Sequence, residues 1–176
     1  MGARRVVLLR AVNVGGASLP MAELRALATS LGAEDVATHI ASGNLLCTPP
    51  GDPDVFDRAL EQAVQERFGF FREAISRTPE QLRAALDAHP FEVVDARFSY
   101  VLFLLHPPEP AAVTAAQEVD TGPELWQLVG QDVHLRYAEG AGRAHPGLDK
   151  ALRRLRTPAT ARNLNTVRKL VALTGS

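Results

Sequence analysis

The sequence predicts an α+β protein built from two related halves. A ferredoxin-like βαββαβ half is expected over residues 1–90, and a second, partial βαββα half with a C-terminal helix over residues 91–176. Three observations lead to this prediction. Short apolar runs alternate with segments of helical periodicity, each half holds two strands joined by a glycine-containing turn, and the order of elements recurs at an offset of about 90 residues.

The elements of the first half follow from apolar periodicity and turn residues. An apolar, β-branched strand comes first, a helix then begins at Pro20, and Gly32 ends it. Ser42-Gly43 is a hairpin turn between the next two strands. The expected elements are a strand at 4–12, a helix at 20–31, strands at 36–41 and 44–48, a helix ending near residue 67 and a strand at 70–77.

Two helix starts in this half carry capping residues. Asp52 or Asp54 follows a proline-rich loop and is available to cap the second helix. Thr78 precedes Pro79 and is expected to cap a third helix, since proline is favoured in the first turn.

The second half repeats the plan in part. A strand is expected at 98–105, a helix at 109–119, a hairpin of strands 125–129 and 132–137 across Gly130-Gln131, and a helix at 147–155. A final helix over residues 160–173 is expected in place of the missing last strand.

The composition is that of a soluble globular protein, with 46% hydrophobic and 22% charged residues. No apolar run approaches the roughly 20 residues that span a bilayer, and the first residues lack the apolar core of a secretion signal. Cys47 is the single cysteine, which excludes an internal disulfide and a cysteine zinc site, and it is expected in the core. We therefore expect a cytoplasmic protein with no membrane contact.

The net charge of −1 hides a strong asymmetry along the chain. Residues 141–176 contain eight basic residues and one acidic residue, a net charge of +7, whereas residues 1–140 carry −8. This polarity indicates either an anionic ligand at the C-terminal end or a basic segment docked on an acidic body. The sequence leaves both open.

Three stretches together resemble a bacterial family known as domain of unknown function 1697: "LLRAVNVGG…LPMAELRAL", "THIASGNLL" and "TPATARNLNTVRKL". The resemblance covers nearly the whole chain and implies a two-part α+β fold and a cytoplasmic setting. It implies no reaction. The family usually reads Gly-Arg-Ser-Lys where this chain has Gly142, Arg143, Ala144 and His145, so a function that needs that lysine is not implied here.

The end of the first strand is the first candidate site. Arg10 shares a face with apolar neighbours, so its guanidinium needs a partner, either an internal carboxylate or an anion from solvent. Nearby glycine amides can approach a phosphate or carboxylate closely. Because the first and third strands of this fold are antiparallel neighbours, the start of the third strand should lie beside Arg10. The predicted ligand-binding residues here are Arg10, Asn13, Gly15, Gly16, Ser42 and Asn44.

The second candidate site is the polar start of the last helix. Two asparagines and an arginine within four residues exceed what helix capping requires, and a helix N-terminus suits an anion. The predicted residues are Arg143, Arg162, Asn163 and Asn165. We expect both sets to contact one small anionic ligand, possibly phosphate-bearing, in a cleft between the halves.

Other function classes remain open at this point. The basic C-terminal third allows a nucleic-acid-binding protein, which the acidic remainder makes less favoured, or a protein interaction module. No histidine shows metal-ligand spacing, no cofactor is predicted, and no nucleophile can be assigned, so the sequence decides neither enzymatic activity nor oligomeric state.

Overall fold

The computed structural model describes residues 2–175. They form two compact units, residues 2–83 with 170–175, and Ala84–Lys169. The elements up to the end of the first sheet are β1 (Arg5–Leu9), α1 (Met21–Ser30), β2 (Glu34–His39), β3 (Asn44–Thr48), α2 (Pro53–Phe68) and β4 (Ala74–Arg77). The helix α3 (Pro79–Asp87) follows, and the division between the units falls inside it.

The first sheet is antiparallel, with strand order β2-β3-β1-β4. This is the ferredoxin-like order, and it confirms the prediction for the first half. One face of the sheet packs on α1 and α2, because alternate strand residues are apolar and meet the apolar stripes of both helices. The buried core on this side contains Val7, Leu9, Leu45 and Cys47 from the strands, and Leu24, Ala28, Leu60 and Val64 from the helices.

The helix starts that the sequence predicts are confirmed. The Asp52 carboxylate accepts hydrogen bonds from the backbone N–H groups of Asp54 (2.8 Å) and Val55 (3.3 Å) at the start of α2. At the start of α3, Thr78 and Gln81 exchange hydrogen bonds between side chain and backbone, at 2.9 and 3.1 Å. These caps satisfy N–H groups that have no partner inside the helix.

β1 is shorter than predicted. It ends at Leu9 rather than near Val12, because Ala11 and Asn13 have φ values of 52° and 56° and cannot continue a strand. β4 likewise begins at Ala74 rather than near Phe70. The shortened end of β1 and the shortened start of β4 lie next to each other, since Leu9 is paired with Ala74.

The second sheet is formed by β5 (Ser99–Leu104), β6 (Leu125–Val129), β7 (Asp132–Arg136) and β8 (Ala159–Asn163), in the order β6-β7-β5-β8. Its helices are α4 (Pro110–Gln117) and α5 (Pro146–Arg153), and α6 (Leu164–Thr174) comes last. The predicted hairpin and both predicted helices of this half are confirmed, as is the α+β class.

The prediction that the second half lacks its last strand is wrong. β8 pairs along β5 from Leu104–Ala159 to Tyr100–Asn163, so the second unit is a complete βαββαβ repeat. The sequence of this segment lacks the apolar alternation of a strand, because its two buried residues are Thr160 and Arg162, with Ala161 between them. Pairing with β5, rather than apolar alternation, makes it extended, and the final helix begins at Leu164 instead of residue 160.

The second core lies between one face of its sheet and the helices α4 and α5. It contains Leu104, Val133 and Leu135 of the strands, and Ala116, Leu148 and Leu155 of the helical side. No helix within residues 2–175 has both the length and the apolar character needed to cross a membrane.

Candidate functional site

The segment of residues 10–19, here called the β1 loop, is held in one conformation by Asn13. The Asn13 side chain accepts a hydrogen bond from the Leu19 N–H (2.7 Å) and donates to the carbonyl oxygens of Leu19 (2.9 Å) and Ala41. Asn13 takes a positive φ of 56°, which asparagine tolerates better than most residues. Its amide therefore positions the loop, and both of its polar atoms already bond the chain.

Gly15 and Gly16 form the exposed tip of the β1 loop. Their φ values are 58° and 85°, where a Cβ atom is disfavoured, and a Cβ built on either would meet no atom within 4 Å. Their N–H groups donate no hydrogen bond within residues 2–175. The tip thus presents two successive backbone donors to solvent.

Arg10 lies beside this loop and has a carboxylate partner. Its Nη1 is 3.5 Å from the Glu73 carboxylate, and its side chain remains 48% exposed. The backbone N–H of Arg10 also donates to the Glu73 carbonyl at 3.0 Å. The internal carboxylate pair, one of the two alternatives for Arg10, is therefore present, but it is long and half-solvated.

A second arginine at this end of the sheet is missing from the sequence prediction. Arg72 Nε donates to the Ala11 carbonyl at 3.1 Å, and the guanidinium lies 5.0 Å from the centre of the Phe70 ring. The strand order could have predicted Arg72: β4 is the antiparallel neighbour of β1, so the residues before β4 must lie next to those after β1. Together, Arg10 and Arg72 make this corner basic.

Ser42 and Asn44 lie at the same end of the first sheet. Asn44 pairs with Leu8 across the sheet, and Leu9 N–H donates to the Gly43 carbonyl at 2.9 Å. The Asn44 side chain is fully buried and donates to the His39 carbonyl and to Ser42 Oγ, both at 3.0 Å. The structure thus brings these residues near Arg10, although the Asn44 amide is engaged with its own hairpin.

The predicted residues of the second unit have varied surroundings. Arg162 is 7% exposed and donates to Thr160 Oγ1 (2.6 Å) and to the Ala161 carbonyl (2.9 Å). Burial lowers the pKa of Arg162 to about 10. Asn163 Oδ1 accepts the Thr166 N–H at 2.9 Å and so caps α6. Asn165 and Arg143 are exposed.

Two histidines of the second unit form a pair that no spacing in the sequence predicts. His89 Nδ1 and His134 Nδ1 are 3.0 Å apart, so one ring donates a hydrogen bond to the other. Burial lowers the pKa of both, and that of His134 to about 4, so both are neutral near pH 7. No group of three or more potential metal-ligating side chains lies together within residues 2–175.

Residues 3–134, most of the chain, match the family described as "Protein of unknown function (DUF1697)". The chain belongs to this family. It is also similar to a solved structure, "The structure of conserved bacterial protein SP0830 from Streptococcus pneumoniae", at 24% identity and a TM-score of 0.80 over 99% of both chains. A likeness at this identity shows the fold alone. No curated protein matches the chain.

The buried polar cluster of the first unit in this DUF1697 chain has the character of a structural element. Ser76 Oγ donates to Asp57 Oδ2 (2.6 Å) and accepts from Arg5 (2.9 Å). Burial raises the pKa of Asp57 to about 6 and that of Cys47 to about 12. Cys47 is fully buried, as predicted for a core residue, and its thiol stays protonated, so it is no nucleophile.

Proposed function

We propose that this DUF1697 protein binds a small anion, a phosphate or carboxylate group, at the tip of the β1 loop. The observation that carries the proposal is the pair of successive N–H groups of Gly15 and Gly16, which have no acceptor within residues 2–175 and belong to exposed residues beside a basic corner. Successive backbone N–H donors in a turn make a concave anion site, as in many phosphate-binding loops.

The loop is organised before any ligand arrives. Asn13 ties both ends of the loop to each other and to the hairpin after β2, so little conformational entropy remains to be lost on binding. This supports binding, because an ordered loop presents its donors in fixed directions.

The charges around the loop favour an anion. Arg10 and Arg72 supply two positive charges, whereas Glu73 supplies one negative charge at the same corner. An exposed ion pair such as that between Arg10 and Glu73 contributes only about 0–1 kcal/mol, so an anion bound to the glycine amides can draw the guanidinium away at low cost.

The proposal does not rest on the predicted residues of the second unit. Arg162 is buried and bonded to its own strand, and Asn163 caps a helix, so both are occupied by the chain itself. That residues of both halves contact one ligand stays a prediction.

The test is a titration with inorganic phosphate followed by NMR at constant ionic strength. The amide signals of Gly15 and Gly16 should shift together with saturation. Arg10→Gln should weaken the apparent affinity by about five- to ten-fold, the usual contribution of one charge-assisted hydrogen bond. Arg25→Gln is the matched control, because Arg25 is an exposed arginine of the same unit that bonds Thr38 instead.

Two outcomes would contradict the proposal. One is the absence of any saturable shift at Gly15 and Gly16, and the other is an equal loss of affinity in Arg10→Gln and Arg25→Gln. Tight, steeply salt-dependent binding of duplex DNA in place of phosphate would favour the nucleic-acid alternative.

A further inference from the structure

The second unit contains a cavity that none of the predicted site residues lines. Its volume is about 530 Å³, and it lies between the end of β5, the first turns of α4 and the segment after α5. The lining residues are His106, Pro107, Pro108, Glu109, Ala111, Ala112, Ala115, Arg154, Leu155, Arg156 and Thr157. This size is typical of sites for small organic molecules and far exceeds what an inorganic ion fills.

The walls of the cavity combine two kinds of surface. Prolines, alanines and Leu155 make one side apolar, whereas Arg154, Arg156 and His106 bring basic groups to its rim. Glu109 contributes one negative charge to the lining, and the two positive charges of Arg154 and Arg156 outweigh it. Such a site suits a molecule with an apolar body and an anionic end.

Arg154 is held in place before any ligand binds. Its Nη1 donates to the Ala115 carbonyl at 2.9 Å, near the end of α4, and its side chain is half-buried. This bond uses one of the five N–H donors of the guanidinium. The remaining donors belong to a group whose direction is already fixed, which lowers the entropy lost on binding.

Arg156 has a backbone conformation that favours glycine. Its φ is +56°, at the turn that ends α5, where glycine is the usual residue and any other side chain costs about 1 kcal/mol. Its exposed guanidinium makes no hydrogen bond or ion pair within residues 2–175. No contact within residues 2–175 therefore explains an arginine at this position. An anionic ligand in the cavity would give its guanidinium a partner.

A second hollow, of about 540 Å³, adjoins the first and shares Arg154 and Arg156 with it. Lys150 and Arg153 line this second hollow, next to Asp149. Arg153 is paired with Asp149 at 2.7 Å, so its charge is partly compensated. The basic rim thus extends away from the cavity mouth, and its field attracts anions toward it.

We propose that this cavity binds a small organic anion, a carboxylate or phosphate monoester on an apolar or aromatic body. The anionic end lies between Arg154 and Arg156, and the apolar body fills the space against Pro107, Pro108 and Ala112. This site is separate from the β1 loop and does not depend on the function proposed there.

The test uses 1-naphthyl phosphate as the probe, with inorganic phosphate and 1-naphthol as its two halves. Isothermal titration of the full chain should give binding of 1-naphthyl phosphate at least about ten-fold tighter than either half, because both kinds of surface are needed. Arg156→Gln and Arg154→Gln should each weaken that binding about ten-fold. Arg153→Gln, the neighbouring arginine outside the cavity, should leave it within about two-fold.

Two further variants keep the test independent of folding defects. Arg156→Gly should retain or raise the melting temperature, because glycine suits the positive φ, and yet lose the probe as Arg156→Gln does. Ala112→Trp should fill the cavity and reduce the affinity for the probe to that for inorganic phosphate, whereas Arg25→Gln, at an exposed arginine in neither site, should leave probe binding unchanged. Because Ala112→Trp leaves the β1 loop intact, this loss separates the cavity from the β1 loop.

Several results would overturn the proposal. These are no detectable binding of the probe, equal affinity for the probe and inorganic phosphate, or undiminished binding in Arg156→Gly and Ala112→Trp. Selective binding of single-stranded DNA that falls equally in Arg153→Gln and Arg156→Gln would identify a nucleic-acid surface and would also overturn it.

Discussion

The first and second units have the same strand order and differ in their polar side chains. In each, the last strand pairs with the first at a sheet edge, and an arginine occupies the same register: Arg77 opposite Val6, and Arg162 opposite Val101. Each arginine is nearly buried and donates to the carbonyl of the residue before it, at 2.9 Å. The repeat thus preserves a buried arginine as well as a topology.

The neighbouring positions have diverged. On the third strand, Leu46 pairs with Val6, whereas His134 takes the matching place beside Val101. On the second helix, the first unit buries the carboxyl of Asp57, whereas the second buries Leu148 and Ala151. The two sheets therefore share one strand order although the buried polar groups beside their paired strands differ.

The largest expected effect tests the equivalence of the two arginines. Arg77→Leu and Arg162→Leu should each lower the free energy of unfolding by about 3 kcal/mol, since each leaves buried hydrogen-bond acceptors without their donor. Arg97→Leu, an exposed arginine paired with Asp95, should cost less than about 1 kcal/mol. Urea unfolding measures all three, and a large difference between Arg77→Leu and Arg162→Leu would show that the equivalence is positional only.

The next largest difference in stability between the two units is expected at their hairpin glycines, Gly43 and Gly130. Both have positive φ, but a Cβ at Gly43 would lie 2.6 Å from Val12 Cγ2, whereas one at Gly130 meets no atom within 4 Å. Gly43→Ala should therefore cost about 2–3 kcal/mol and Gly130→Ala about 1 kcal/mol, as measured by thermal unfolding. Equal losses of stability in the two variants would mean that backbone strain alone sets the cost at both glycines.

Acid should destabilise the second unit through His134. Its folded pKa of about 4 lies below the ordinary 6.5, so below pH 6.5 the unfolded chain takes up a proton that the folded chain resists. Stability should fall as the pH drops from 6.5 toward 4. His134→Leu, which copies Leu46, should reduce that loss by about 1–2 kcal/mol in urea titrations at several pH values. An unchanged pH profile would argue against a neutral His134.

Asp57 in the first unit should act in the opposite sense and more weakly. Its folded pKa of about 6 lies above the ordinary 3.8, so stability from this group is present at low pH and is lost as the pH rises through 6. The free energy of unfolding of Asp57→Asn, relative to that of the wild type, should rise by about 1 kcal/mol between pH 4 and pH 7. Asp54→Asn, exposed on the same helix, should show no such gain.

The sequence alone determined the elements whose signals are local. Asp52 and Thr78 mark helix starts because capping uses residues within three positions, and Gly43 and Gly130 mark hairpins because the backbone there needs positive φ. The ferredoxin-like order of the first half also follows, since the order of elements leaves few right-handed connections.

Only the tertiary structure decided the features that depend on partners distant in the chain. β8 is a strand because β5 binds it, not because of its own alternation, and Arg72 reaches Ala11 only because β4 lies beside β1. His89 and His134 are 45 residues apart in sequence, and the lining of the cavity comes from 106–115 and 154–157. Local propensity carries no information about such contacts, because they depend on packing between segments that the chain brings together only on folding.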